Sequence, residues 1–242
     1  MRVALLLAFA VLVAPASAGA AAPSGRNLYL RDCASCHGGQ LEGVRPDEPG
    51  RGAGVRDGGP SLRGVGALAV DFELRTGYMP LHDAYEQPLR SAPSYSGAQI
   101  KAIVAYIART GGPPIPQPHP ERGSLSEGMR LFTESCAGCH QVAGAGGIVT
   151  NRIAPSLTAA TATQIAEAVR LGPYVMPRFD RRRISDRQLD SIVRYVEYAK
   201  HPQDRGGWEL GHLGPVPEGM VAWLIAGSVL LLVARLIGEA RK

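Results

Sequence analysis

The sequence predicts an all-α protein with two tandem helical domains followed by one C-terminal transmembrane helix. Three observations lead to this fold class. A segment from the first half of the chain recurs 103 residues later, which indicates a repeated domain. Each copy ends in a stretch with the apolar spacing of a helix. Residues 219–238 form a long apolar run near the C-terminus.

Composition excludes several classes of protein. The four cysteines among 242 residues are too few for a disulfide scaffold, in which roughly 8–10% is expected. The net charge is +5, but acidic residues are interleaved with the arginines, and only 6% of the residues are aromatic. A continuous basic surface with rings for base stacking is not expected, so we predict no nucleic-acid partner.

The chain begins with a segment typical of a secretory signal peptide, which we assign to residues 1–20. Arg2 precedes the apolar run 3–13, and small residues follow around Ala18. This apolar run is too short to span a bilayer. The leader is therefore either cleaved after Ala18 or Ala20, or retained at the membrane surface.

The repeat defines a first domain over 21–112 and a second over 124–205. The segment from Gly25 to His37 matches that from Gly128 to His140. Further matches are Gly-Pro-Ser-Leu at 59–62 with Ala-Pro-Ser-Leu at 154–157, and Thr-Gly-Tyr-Met-Pro at 76–80 with Gly-Pro-Tyr-Val-Met-Pro at 172–177.

Each domain is predicted to end in an amphipathic helix. Both helices open with the Ser-x-x-Gln pattern of a capping box, at Ser96 and Ser185. Their apolar residues keep the offsets 0, 3, 4 and 7 of one helical face: Ile100, Ile103, Val104 and Ile107 in the first domain, and Leu189, Ile192, Val193 and Val196 in the second. Tyr29 and Phe132, one turn before each cysteine pair, are expected to pack against these helices.

Two connecting segments stand out by composition. Residues 113–123 are rich in proline, which favours an extended linker that spaces the domains semi-rigidly. Ser124 and Glu127 then predict a cap for the next helix. The stretch Gly38–Gly58 has no apolar face and is either a partner contact or a solvated insertion.

The C-terminal region has the features of a membrane anchor. A juxtamembrane segment, 206–218, leads into the 20-residue apolar run 219–238, which is long enough to cross a hydrocarbon core. Trp223 suits one interface, and Arg235 with the basic tail 239–242 suits the other. The positive-inside rule then places the C-terminus in the cytoplasm and both domains outside it.

All four cysteines fall into two Cys-x-x-Cys-His motifs, which are typical of covalent attachment of c-type haem. Two thiols three positions apart reach the two vinyl groups of one porphyrin, and the following histidine is held beneath the iron. Zinc sites, redox Cys-x-x-Cys pairs and structural disulfides are the alternatives, and each explains the two histidines less well. We predict two covalently bound haems, attached at Cys33, Cys36, Cys136 and Cys139, with His37 and His140 as axial ligands.

A haem iron with one histidine still lacks a sixth ligand. Met79 and Met176 occupy matched positions of the repeat, each before a proline, and we predict that they are the second axial ligands. His82 is the alternative to Met79. Ligation by methionine and histidine closes both faces of the iron and is typical of electron carriers. We therefore predict electron transfer and no separate substrate site.

Arginines follow the second Met-Pro pair closely, at Arg178 and 181–183. They could neutralise haem propionates, dock an acidic partner, or form only a solvated basic surface. His119, His201 and His212 lie in polar, Pro- or Gly-rich surroundings and are predicted to be surface residues.

The chain resembles the membrane-anchored di-haem cytochrome c subunit, or cytochrome cc, of the actinobacterial menaquinol:cytochrome c oxidoreductase (cytochrome bcc complex). The resemblance rests on two Cys-x-x-Cys-His domains, two Met-Pro ligands and one C-terminal anchor in that order. The juxtamembrane stretch 206–223 is the more specific match. The resemblance implies two class I cytochrome c-like domains.

This resemblance also implies partners and a direction of electron flow. Electrons leave menaquinol in a cytochrome b subunit, pass through a Rieske iron–sulfur subunit, and reach the first haem and then the second. They continue to a cytochrome c oxidase in the same supercomplex. The chain is then the cytochrome c subunit of a quinol-cytochrome c reductase, a translocase of the respiratory chain.

Three other functions are compatible with parts of the sequence. A membrane-anchored di-haem subunit could accept electrons from a periplasmic dehydrogenase. A di-haem peroxidase needs one open iron, against which the second Met-Pro pair argues. A structural exported helical protein would carry no covalent haem.

Overall fold

The computed structural model describes residues 24–45, 58–81, 87–149, 152–201 and 215–239. This part of the chain contains two small helical domains and one long C-terminal helix. Several predicted features lie outside the described residues: the leader 1–20, most of the Gly38–Gly58 loop, His82, His212 with the start of the juxtamembrane segment, and residues 240–242 of the tail.

The first domain consists of α1 (Gly25–Asp32), α2 (Ala34–His37), α3 (Gly66–Arg75) and α4 (Gly97–Ala108). The predicted capping box of α4 is confirmed, because the Ser96 hydroxyl accepts the Gln99 N–H and the Gln99 side chain accepts the Ser96 N–H. The predicted apolar face of α4 is buried in a core to which α1 and α3 contribute.

The second domain repeats this plan with α5 (Leu125–Ser135), α6 (Ala137–His140), α7 (Ala162–Leu171) and α8 (Asp186–Lys200). The predicted capping box at Ser185 is confirmed, and α7 has a further one at Thr161. Ser124 caps α5 as expected. The Glu127 carboxylate accepts a hydrogen bond from the buried hydroxyl of Ser191 on α8, at 2.8 Å.

The prediction of a strictly all-α fold is wrong, because the second domain contains a small antiparallel sheet. Strand β1 (Gly147–Val149) pairs with β2 (Arg152–Ala154), with Ile148 opposite Ile153. Three-residue strands are too short to show the alternation that predicts a strand from sequence. Their mutual hydrogen bonding and the cross-strand pair define them instead.

The first and last helices of each domain cross at a glycine. A Cβ atom on Gly25 would lie 1.9 Å from the carbonyl oxygen of Ala102 on α4, and one on Gly128 would lie 1.9 Å from that of Ser191 on α8. One turn further along, aromatic rings meet across each crossing. The centroids are 5.3 Å apart in both pairs, Tyr29 with Tyr106 and Phe132 with Tyr195, which confirms the predicted packing of Tyr29 and Phe132.

The proline-rich linker lies against both domains. The Leu68 N–H donates to the Pro113 carbonyl, and Ile115 packs against the first core. After a turn of 3₁₀ helix at Pro120–Arg122, the second domain begins; the His119 N–H donates to the Asp190 carboxylate at 2.7 Å. Because α3 also packs directly against α7, the expectation that the linker holds the domains apart is wrong.

The C-terminal helix α9 spans Pro215–Glu239, whereas the sequence predicts 219–238. The helix therefore extends four residues further at its N-terminal end and one residue further at its C-terminal end. Its segment Gly219–Glu239 is long and apolar enough to cross a membrane. None of this segment is buried against the described domains, and large apolar side chains such as Trp223 and Leu231 are exposed. Such a surface needs an apolar environment of its own.

Candidate haem-binding sites

Each Cys-x-x-Cys-His motif lies at the end of its domain's first helix. Cys33 follows α1 directly, and the second cysteine and the histidine lie in the single turn α2. The second domain repeats this arrangement at Cys136. Residues i, i+3 and i+4 share one side of a helical turn, so the two sulfurs and the imidazole can bind the same ligand. All four cysteines are free thiols.

Each histidine is oriented by a hydrogen bond to a proline carbonyl. Nδ1 of His37 lies 2.8 Å from the Pro60 oxygen, and Nδ1 of His140 lies 3.0 Å from the Pro155 oxygen. A carbonyl only accepts, so Nδ1 carries the proton and donates, which leaves the Nε2 lone pair for a metal. Burial also lowers the pKa of His140, which favours the neutral imidazole that binds metals.

The backbone changes direction at the same place in both domains. The residue after each histidine has a positive φ, 78° at Gly38 and 60° at Gln141. A non-glycine residue in this conformation is uncommon, so Gln141 holds a costly geometry. The chain then returns, and the Gly43 and Gly146 N–H groups donate to the carbonyls of His37 and His140. The repeat therefore extends to the backbone around each ligand.

Burial raises the pKa of Cys33 and of Cys136 to about 11. A raised pKa is the opposite of the lowered thiol pKa that activates redox Cys-x-x-Cys motifs. Within the described ranges, no group of three or more His, Cys, Asp or Glu side chains could hold a metal ion. The zinc and redox alternatives therefore find no support in the geometry.

A cavity of about 410 Å³ lies against the second domain. Cys136, Cys139, His140 and Met176 all line it, so the structure brings the four predicted site residues of this domain together. Most of the remaining wall is apolar, with Phe132, Ile165, Val169 and Val196 among its residues. In the first domain, Cys33 and Met79 pack against one core.

These residues fit a covalently attached haem. Two free thiols lie beside an imidazole with a free Nε2, and a thioether lines the same apolar cavity. A large apolar wall is what a porphyrin ring requires, because burial of its faces drives its binding. Thiol, imidazole and thioether are also the ligand types that c-type haem uses.

A pair of acidic residues buried between the domains was not predicted from the sequence. Glu167 of α7 is fully buried, and neither of its side-chain oxygens accepts a hydrogen bond from a described donor. Burial, followed by the negative charge of Asp71 on α3, raises the pKa of Glu167 to about 9. Asp71 is itself buried and pairs with Arg75 at 2.7 Å. Glu167 is therefore protonated at neutral pH.

The predicted arginine cluster does not line the cavity. Arg181 pairs with Asp186 at 3.0 Å, and the Arg183 guanidinium lies 4.9 Å from the centre of the Phe179 ring. The guanidinium groups in the cavity wall belong to Arg90 of the first domain and Arg152 of the second. The sequence carried no signal for either, because both lie outside the repeated motifs.

The fold and the two sites define this chain as a protein of the cytochrome c class. Residues 22–111 match the family model described as cytochrome c, and residues 123–196 match the model described as cytochrome C oxidase, cbb3-type, subunit III. The chain belongs to the family of cytochrome c subunits of the cytochrome bc1 complex, as its similarity to curated relatives shows.

Three relatives with that name illustrate the similarity. The cytochrome bc1 complex cytochrome c subunit of Mycobacterium tuberculosis (strain H37Rv) is 38% identical over 238 residues, covering 94% of this chain and 81% of the relative. The Mycobacterium leprae protein is 37% identical, with 94% and 78% covered. The Corynebacterium diphtheriae protein is 36% identical, with 89% and 79% covered.

Proposed function

We propose that each domain binds one covalently attached c-type haem through the residues that the sequence predicts. The thioether bonds are formed by Cys33 and Cys36 in the first domain, and by Cys136 and Cys139 in the second. The axial ligands are His37 with Met79, and His140 with Met176. The observation that carries this proposal is the cavity that Cys136, Cys139, His140 and Met176 share.

The bound haems supply reversible one-electron chemistry. The protein's part is to hold the groups that would bind them: Pro60 and Pro155 fix the imidazoles through Nδ1, and Met79 and Met176 would supply the thioether sulfurs. If imidazole and thioether both bound the iron, no position would be left on it for a substrate. Methionine–histidine ligation also raises the reduction potential, as an electron carrier requires.

We further propose that the chain carries electrons from a Rieske iron–sulfur subunit of a menaquinol-oxidising cytochrome bc complex to a cytochrome c oxidase. The name shared by the relatives supports the first half of this route, since they are subunits of a cytochrome bc1 complex. The cytochrome b subunit and the Rieske subunit are then its partners. The oxidase joins them in a supercomplex, in which the second domain replaces a diffusing cytochrome c.

In this proposal, α9 anchors the protein in the cell membrane as a single span. Both haem domains lie outside the cytoplasm, because the cations Arg235, Arg241 and Lys242 cluster at the C-terminal end of the apolar segment. The leader over 1–20 is compatible with the same orientation. The chain is thus the electron-transferring subunit of a quinol-cytochrome c reductase.

Purification through a tag on Lys242 in mild detergent tests the partners. We expect cytochrome b and Rieske subunits to co-purify in equal amounts with the chain, together with an oxidase. Recovery of a soluble dehydrogenase without these subunits would replace the proposal with the dehydrogenase alternative.

The ligand assignment is tested by Met176→Leu, with Met129→Leu as the matched control because Met129 is exposed on α5. A covalent haem stain should detect both proteins. We expect Met176→Leu to lose about half of the methionine-to-iron charge-transfer absorption and Met129→Leu to lose none. Full absorption in Met176→Leu would show that another residue ligates the second iron.

A further inference from the structure

The first domain forms part of the wall of the second domain's cavity. Among the residues lining that cavity, Phe72, Thr76, Tyr78, Gln87 and Arg90 belong to the first domain. The site that holds Cys136, Cys139, His140 and Met176 is therefore not complete within the second domain alone.

Polar contacts fix this wall in place. The side-chain amide of Gln87 donates to the Ile153 carbonyl at 2.8 Å and accepts the Ile153 N–H at 2.9 Å, so it pairs with strand β2 as a neighbouring strand would. Nη2 of Arg90 donates to the Ala159 carbonyl at 3.0 Å and to Oε1 of Gln164 at 2.8 Å. Two side chains of segment 87–90 thus bind three separate parts of the second domain.

Arg90 still has donors to offer. Its two contacts to described residues both use Nη2, whereas a guanidinium has five N–H groups in a fixed planar fork. The side chain is half-buried in a cavity whose lining is mainly apolar. A cation in such a wall is stabilised when an anion shares the cavity, and a carboxylate matches the fork best.

A haem brings two propionate carboxylates into such a cavity. We propose that Arg90 of the first domain binds a propionate of the second haem, so that this haem site is completed across the domain interface. The inference rests on the proposed haem binding by Cys136 and Cys139. Arg90 then fixes the orientation of the second haem and tunes its potential, because a nearby cation favours the reduced, less positive iron.

The test is a redox titration of the full chain in detergent with Arg90→Gln, Arg90→Lys and the control Arg187→Gln. Arg187 is an exposed arginine of α8 outside the cavity wall, so its substitution changes the net charge equally. We expect Arg90→Gln to shift one of the two midpoint potentials to a more negative value and leave the other unchanged. Arg90→Lys should retain most of the wild-type potential, since it keeps the charge.

The component that shifts in Arg90→Gln should be the one altered by Met176→Leu. Equal potentials in Arg90→Gln, Arg187→Gln and wild type would overturn the inference, as would a shift confined to the first haem. The inference would also be overturned if Arg90→Lys shifted the midpoint potential as much as Arg90→Gln does. That result would show that the hydrogen bonds to Ala159 and Gln164, and not the charge, produce the shift. A covalent stain that detects no haem on the second domain would instead overturn the proposed function.

Discussion

Replacement of Gly128 by alanine tests how tightly the two terminal helices of the second domain pack. The glycine lies where α5 crosses α8, and a Cβ atom there would be 1.9 Å from the Ser191 carbonyl oxygen and 2.6 Å from its carbon. Both obstacles are backbone atoms in the middle of a helix. No side-chain rotation relieves the contact, so the two helices must separate.

The expected cost follows from the geometry. Ordinary contact begins near 3.4 Å, so the helices must move apart by roughly 1.5 Å at the crossing. A gap of about 0.5–1 Å already removes a quarter to a half of the dispersion energy of the atoms beside it. The contact between the Phe132 and Tyr195 rings lies beside this gap and would be weakened. Overpacking costs about 1–3 kcal/mol, and we expect the upper end here. The better helix propensity of alanine offsets about 1 kcal/mol of this cost at most. The second domain should therefore be destabilised by about 2 kcal/mol.

The assay is thermal denaturation of the full haem-loaded chain, followed by circular dichroism and by the methionine-to-iron absorption. A loss of about 2 kcal/mol lowers the melting temperature of a domain of this size by roughly 8–16 °C. Gly97→Ala is the matched control, because a Cβ atom at Gly97 meets nothing within 4 Å. That variant should melt within a few degrees of the wild type.

A Gly128→Ala protein as stable as Gly97→Ala would refute this reasoning. It would mean that α5 and α8 can separate without losing buried contacts, so the glycine would not be required at the crossing.

Other substitutions test the buried charges. The raised pKa of Glu167, about 9, predicts a pH-dependent stability that Glu167→Gln should remove. The folded wild type keeps this proton to a higher pH than the unfolded chain does, so its free energy of unfolding falls as pH rises from about 4.5 to 9. The glutamine variant should lack this decline and melt higher than the wild type at about pH 9 but not at about pH 4; parallel melting curves at both pH values would contradict the assignment. Arg170 donates to the carbonyls of Phe179 and Ile184 and to the Asp186 carboxylate. Arg170→Leu should cost about 2–4 kcal/mol, because it leaves the two buried carbonyls without their donor. The exposed Arg130–Glu134 pair is the control, since Arg130→Leu should cost under about 1 kcal/mol in denaturant unfolding; equal losses would show that burial of Arg170 does not matter.

Much of the fold could be predicted because the same sequence pattern occurs in both domains. The repeated motifs gave two domains, and the offsets of Ile100 and Leu189 gave the buried faces of the terminal helices. The capping boxes at Ser96 and Ser185 also formed as predicted. These signals are local, so they depend little on how the domains pack.

Features that depend on packing between distant segments escaped prediction. Asp71 and Glu167 look like solvated residues of a helix in the sequence, and only the contact of α3 with α7 buries them. Arg90 lies 74 residues from Gln164, and no spacing rule connects them. The paired strands at 147–149 and 152–154 were missed, because each is too short to show a period.

The contact between α3 and α7 joins the same helix from each copy of the repeat. Across it, Asp71 faces Glu167, and the Tyr78 ring meets the Tyr174 ring edge-on with centroids 5.6 Å apart. In a symmetric dimer, residues near the two-fold axis meet their own copies in this way. The interface therefore has the pseudo-two-fold form of a dimer, with the two copies of the repeat in place of two protomers. The pseudo-symmetry breaks beside this contact, because Gln87 and Arg90 of the first domain reach into the second.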